Sequence, residues 1–128
     1  MTPAEPSPAR EATASPRPTP YFPTRPGVGG PDVGLQGVLA VRDNCVVIES
    51  DAGVDILVLW PDVVGIVVEN GIVRLIDEDG RVIASEGDRV SINGGEAQPQ
   101  VFREYAGEPP PACPDDLWWG GLPIERLE

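Results

Sequence analysis

The sequence predicts an all-β domain, a small closed barrel or a sandwich of about six or seven short strands. Three observations carry that reading. Runs rich in Val and Ile recur after position 32 at a spacing of roughly ten residues. Gly, Asn, Asp or Pro bounds each run, and nothing between the runs repeats its apolar residues at helical spacing. With 128 residues, the chain has room for one domain and little more.

Residues 1–31 stand apart. They hold nine of the sixteen prolines, and up to Pro26 they are mostly Pro, Ala, Ser and Thr with scattered charges. Such a segment buries too little apolar surface to offset its ordering entropy, so it reads as a disordered arm or stalk. Pro16, Pro18 and Pro20 favour extended polyproline II. Tyr21 and Phe22 are the arm's two aromatics. They either dock on the domain or sit solvated in a linker, and the second is expected. The domain is assigned to residues 32–128.

Within it, residues 37–41 form a first strand closed by Asp43-Asn44. Residues 45–49 form a second, closed by 50–53. A third, 54–60, stops at Pro61, which has no N–H to give a ladder; Trp60 at its end reads as core. Residues 62–65 allow a short helical turn. Residues 65–68 and 72–76 flank Glu69-Asn70-Gly71, and Asn-Gly is the strongest short hairpin signal. A second hairpin joins 72–76 to 82–85 across Asp77-Glu78-Asp79-Gly80. In 89–92, Val90 and Ile92 alternate with Arg89 and Ser91 before the turn Asn93-Gly94-Gly95. Residues 100–105 read as a further extended piece before Pro109-Pro110-Pro111, and the rest as an extended C-terminal tail.

Charge narrows the partners. There are 21 acids against nine bases, for a net charge of −12. The arm has three Arg and two Glu and is +1, so residues 32–128, with 19 acids and six Arg, carry −13. A surface that negative repels phosphate backbones and anionic headgroups, so nucleic acid is not an expected partner. No apolar run is long enough to insert in a membrane. A cation, a basic partner or a neutral ligand fits the charge, which also serves simple solubility.

Every base is Arg; there is no Lys and no His. That removes His-dependent nucleophiles, His-containing zinc sites, Schiff-base chemistry and the phosphate-loop lysine. A carboxylate pair is the remaining catalytic arrangement, and it needs a cleft that so small a domain seldom offers. The domain is therefore read as non-enzymatic and free of cofactors. Asp77-Glu78-Asp79-Gly80 looks superficially like a calcium loop. The later ligands are missing, so a solvated turn is expected, with a cation at Asp77 and Asp79 as the alternative.

Cys45 and Cys113 are the two cysteines, one early in a strand and one in the Pro-rich tail. A bridge between them would pin the tail to the barrel and stabilise a thin core by roughly 4 kcal/mol. Two free thiols in a reducing compartment are the alternative. The candidate ligand or partner surface is built on Trp118 and Trp119, with Asn93, Asp115 and Asp116. Adjacent residues of an extended chain face opposite ways, so one Trp can enter the core while the other stays exposed as an anchor. Closure of the barrel by both rings is the competing reading.

Gly37-Val38-Leu39, Asp43-Asn44-Cys45, Leu57-Val58-Leu59-Trp60-Pro61, the stretch 73–84, Gly87-Asp88-Arg89-Val90, Asn93-Gly94-Gly95-Glu96, Cys113-Pro114 and the Trp pair occur in that order. In this combination the chain resembles a family of small, uncharacterised bacterial exported proteins, lipoprotein-like or secreted. The resemblance implies export and supports the Cys45–Cys113 bridge; it carries no activity and no catalytic residues.

No signal or lipid-anchor motif follows Met1. A Pro/Ser/Thr/Ala stalk nonetheless suits a tether between a membrane attachment and an extracytoplasmic domain, with any leader removed upstream. A cytoplasmic protein is the alternative. Taken together, the reading is an extracytoplasmic β-barrel, related in shape to oligonucleotide/oligosaccharide-binding (OB) barrels, that binds a protein or an envelope polymer. The second hypothesis is a structural or assembly subunit that pairs through strand edges.

Overall fold

The computed structural model of the protein describes residues 17–27 and 29–127. The strands are β1 (Thr24–Arg25), β2 (Val33–Arg42), β3 (Cys45–Ser50), β4 (Asp55–Pro61), β5 (Gly65–Glu69), β6 (Ile72–Ile76), β7 (Val82–Ser85), β8 (Arg89–Glu96) and β9 (Leu117–Arg126). One helix, α1 (Pro99–Ala106), lies between β8 and β9. β4, β3, β2, β8 and β9 are neighbours in that order, and β9 then pairs in parallel with β4 through Leu57–Leu117, Val58–Trp118 and Leu59–Trp119. That last pairing closes a five-stranded barrel. β5, β6 and β7 form a separate antiparallel meander inserted between β4 and β8.

Strand alternation sorts the apolar side chains into two cores. Val46, Ile48, Val58, Trp60, Val90, Ile92 and Trp118 point into the barrel, where Val64, Leu75 and Ala84 from around the meander join them. Val47, Leu57 and Leu59, the intervening residues of β3 and β4, point outward. They are buried nonetheless, because Phe102 of α1 and the Cys45–Cys113 disulfide cover them. β3 and β4 are thus apolar on both faces, and this is why 45–48 and 56–60 are continuous apolar runs rather than alternating ones. β2 pairs with β3 through Gly37 to Arg42 and with β8 through Val33 to Val38. Gly37 belongs to both ladders, and a Cβ there would lie 2.2 Å from the Glu49 carbonyl oxygen. Only glycine permits that approach.

Both hairpins fall where the sequence places them. Asn70 and Gly71 take positive φ of 53° and 78° between β5 and β6, as the two-residue turn requires. Between β6 and β7, the Asp77 carboxylate accepts hydrogen bonds from the Asp79 and Arg81 backbone N–H groups, both at 2.9 Å. The acidic tip is therefore a side-chain-capped turn.

Three assignments change. Residues 100–105 are helical, not extended. Pro99 stands at the start of α1 with its φ already fixed for a helix, and burial of Phe102 holds the two turns down. Asn93-Gly94-Gly95 is no turn: β8 runs through to Glu96, its Asn93, Gly94 and Gly95 paired with Gly121, Gly120 and Trp119. Gly94 holds φ at 141°, and a Cβ would sit 1.8 Å from the Trp119 carbonyl oxygen, so the glycine serves a close strand crossing. The C-terminal tail, finally, is β9 itself, the strand that seals the barrel.

The arm also begins to interact earlier than its composition suggests. Residues 1–16 lie outside the described residues, but Arg17 is bound at the meander and Tyr21 to Arg25 lie on the barrel. Tyr21 bridges to Cys45, and the Phe22 ring stacks on Trp60 with 5.2 Å between centroids. β1 pairs in parallel with the end of β4, with Trp60 N–H donating to the Pro23 carbonyl and Asp62 N–H to that of Arg25. The docking alternative for Tyr21 and Phe22 is the one found, because the end of β4 offers unpaired backbone donors and an aromatic ring to stack on. Burial pushes the Tyr21 hydroxyl pKa up.

Arg17 anchors the start of this strap. Its guanidinium donates to both carboxylate oxygens of Glu86, at 2.5 and 3.1 Å, and to the Gly71 carbonyl at 2.9 Å. The Arg17 hydrogen bond holds the Glu86 carboxyl below the usual range, and the Val73 backbone N–H adds to this. A depressed carboxylate pKa contributes stability above the unfolded-state value, about 4.3, that is lost as pH falls through the folded value. Glu86→Gln is expected to cost about 1 kcal/mol at pH 7, read by urea denaturation. The gap between variant and parent should close as pH drops below about 4. A gap unchanged down to pH 3 would show that the pair does not act through this charge.

Candidate functional site

Three depressions adjoin around the base of α1. The largest, of 410 Å³, lies between the β3–β4 turn and the segment leading into β9; Ser50, Val54, Ile56, Pro99, Leu117 and Trp118 line it with Glu96, Asp115 and Asp116. A second, of 270 Å³, shares Glu96 and Ala97 with the first and reaches Trp119, Gln98, Val101 and Pro31. A third, of 230 Å³, shares Pro99, Asp115 and Leu117 and ends at Phe102, Arg103 and Glu108. Together they form an apolar-floored band with an acidic rim. Its one base, Arg103, is already bound to Glu108 at 2.7 Å.

The local fold explains why these residues meet. The Cys45–Cys113 bridge, with Cα atoms 5.8 Å apart, ties the chain just before Asp115 to the start of β3. The Leu57 N–H donates to the Asp116 carbonyl at 2.8 Å, which fixes the turn into β9. Asp115 and Asp116 are thereby held exposed on the cleft wall. Opposite them, Ala97 N–H donates to the Leu117 carbonyl at 3.0 Å as the chain leaves β8.

The two Trp do part company. Trp118 enters the barrel and is 8% exposed, its indole N–H pointing to the Asn93 carbonyl at 3.4 Å. Trp119 faces outward but is only half open. Its indole N–H donates to the Gly29 carbonyl at 3.0 Å, and Tyr105 meets its ring edge-on at 5.4 Å. Arg25 lies 4.4 Å over the ring as a cation–π partner. That guanidinium, 3% exposed, also donates to the carbonyls of Gly29 at 2.7 Å and Gly120 at 2.6 Å. Desolvation pulls its pKa down from the ordinary arginine value. The anchor proposed on Trp119 is therefore packed by the chain's own strap, with one edge left to the second depression.

Of the residues singled out in the sequence, Trp118, Asp115 and Asp116 share the largest depression, and Trp119 borders the next. Asn93 lines none of the three; its side-chain N–H₂ donates to the Leu122 carbonyl at 3.2 Å, where β9 bulges. Val54, Ile56, Glu96, Gln98 and Pro99 were not foreseen. They come from the β3–β4 turn, β4, the end of β8 and the start and N-cap of the helix, and no local pattern in the sequence joins them. Among the described residues, no group of three His, Cys, Asp or Glu side chains is placed to hold a metal ion, and no helix is long and apolar enough to cross a membrane.

Fold and surface together define a small, disulfide-bonded β-barrel with an acidic, apolar-floored band beside its one described helix. No known protein family model, curated protein or solved structure matches the chain.

Proposed function

We propose that the protein is a non-catalytic binding module of the extracytoplasmic space, and that its band takes an extended basic peptide segment. The observation that carries this is the cleft of 410 Å³, in which three carboxylates rim an apolar floor with no basic side chain among them. A chain alternating cationic and apolar residues satisfies both chemistries, with cations on Glu96, Asp115 and Asp116 and apolar groups on Val54, Ile56 and Leu117. Export is supported by the disulfide, which persists in oxidising compartments, and by the composition of the arm.

The strand order supports kinship in shape with OB barrels, whose ligand face is the outer surface of the second and third barrel strands. Here those strands are β3 and β4, and that surface is filled by Phe102 and the disulfide. The ligand is consequently displaced to the band beside α1, and the net charge of −12 disfavours a nucleic acid there.

The test is fluorescence titration with a labelled nonapeptide of alternating Lys and Leu, against a Ser/Leu control. Saturable binding is expected that weakens with salt and falls about tenfold in the double variant Asp115→Asn, Asp116→Asn. Equal affinity for the neutral control, or no loss in the double variant, would overturn the reading.

A further inference from the structure

We propose that β5 is a self-pairing edge, through which two copies of this chain join their three-stranded meanders into one six-stranded sheet. The surface is separate from the band beside α1, so its fate does not depend on the peptide reading.

Among the described residues, β5 has a single neighbour, β6. The two-residue turn Asn70-Gly71 sets the ladder between them: Glu69 and Ile72 flank the turn as a hydrogen-bonded pair, and bonded pairs then alternate along the strands. Gly65, Val67 and Glu69 therefore direct their backbone groups at β6. Ile66 and Val68 direct theirs outward, and no backbone hydrogen bond to another part of the chain takes them up among the described residues. Usual protections of an edge are missing. There is no Pro, no bulge and no Lys in Gly65–Glu69, and its three central residues are β-branched and half-buried.

The register that suits this edge is its own. A two-fold axis at Val67 sets Ile66 of one copy against Val68 of the other, twice, so both outward-facing residues of each chain find partners in four backbone bonds. On the face shared with the buried Val73 and Leu75, Ile66 and Val68 meet as a β-branched pair and extend the apolar layer. On the opposite face Val67 meets its own copy.

Charge fits as well. Glu69, the only charged residue of β5, is bound to Arg74 of its own chain at 3.1 Å and comes to lie beside Gly65 of the other copy. The two Glu69 side chains are then four positions apart along the strands, about 13 Å, beyond the Debye length at 0.1 M salt. A foreign strand would have to reproduce this pattern, whereas a second copy supplies it. Two five-residue strands bury well under the roughly 1,200 Å² of a stable interface, so the association is a weak, concentration-dependent one.

Sedimentation of the full chain from micromolar to millimolar concentration tests this. A monomer–dimer equilibrium is expected that tightens as salt is raised, because two chains of −12 repel at long range. Val67→Lys places like charges on the axis and should weaken the dimer at least tenfold. Val68→Pro deletes an outward N–H without touching the β6 ladder and should do the same, with the fold checked by circular dichroism.

A positive readout guards against a misfolded variant. Opposed residues in such a pair have Cα atoms about 4.5 Å apart, within disulfide reach. Val67→Cys should therefore cross-link between chains under mild oxidation much faster than Val82→Cys, which sits exposed on the other edge of the meander. A monomer at every concentration, a dimer indifferent to both edge variants, or equal cross-linking of the two Cys variants would each overturn the proposal.

Discussion

Replacing Cys45 and Cys113 together by Ala is expected to lower the unfolding free energy by about 4 kcal/mol and the melting temperature by roughly 20 °C. The bridge closes a loop of 68 residues, long enough for the chain-entropy contribution to be large. It also lies in the outer core, with Cys45 wholly buried and Cys113 nearly so, against Val47, Leu57 and Phe102. Losing it frees the segment from Pro109 to Asp116, so the acidic wall of the largest cleft should loosen along with the fold. Denaturation by urea measures the first effect, and peptide titration of the double variant well below its melting point the second. A loss under 1 kcal/mol would mean that the hydrophobic contacts alone hold the tail.

Gly94→Ala should be nearly as damaging, costing about 3 kcal/mol or more. A methyl group there runs into the Trp119 carbonyl at 1.8 Å and the Trp118 indole nitrogen at 2.8 Å, on a backbone with φ at 141°. Relief requires β8 and β9 to separate where both Trp are placed, so Trp emission should shift to the red along with the loss of stability. Gly34→Ala on β2 provides the control. Nothing lies within 4 Å of its Cβ position, and it should be neutral or slightly stabilising. A Gly94→Ala protein as stable as that control would show that the crossing is looser than its geometry indicates.

Much of the fold was legible because local chemistry specified it. Asn70-Gly71 and Asp77 through Gly80 dictate their turns through positive φ and side-chain capping, and those hairpins stand where the sequence puts them. The Cys45–Cys113 pairing and the closed barrel were legible too. The failures share a cause, which is that a distant partner decides the outcome. Gly94 and Gly95 look like a turn until Gly120 and Trp119 pair with them. Val101 and Phe102 have strand propensity, but Phe102 fills a pocket on the outer faces of β3 and β4, and Pro99 starts a helix to deliver it. Arg17 to Pro26 has the composition of a linker, yet Phe22 and Arg25 find Trp60 and Trp119 waiting. The candidate cleft was half visible. Asp115, Asp116 and Trp118 sit together in sequence, whereas Glu96, Val54 and Ile56 join them only through the closure of the barrel.

That closure has a consequence for how the chain comes to be folded. Leu57 meets Leu117 some sixty positions later, and β9 completes two ladders at once. A chain emerging vectorially, from a ribosome or through a translocation pore, therefore cannot seal this seam until β9 arrives. Until then β8 and the Leu57–Leu59 stretch of β4 stand with bare edges, in an all-β topology of the kind that folds in milliseconds to seconds rather than microseconds. The interval of vulnerability to aggregation is thus set by the position of one strand in the sequence.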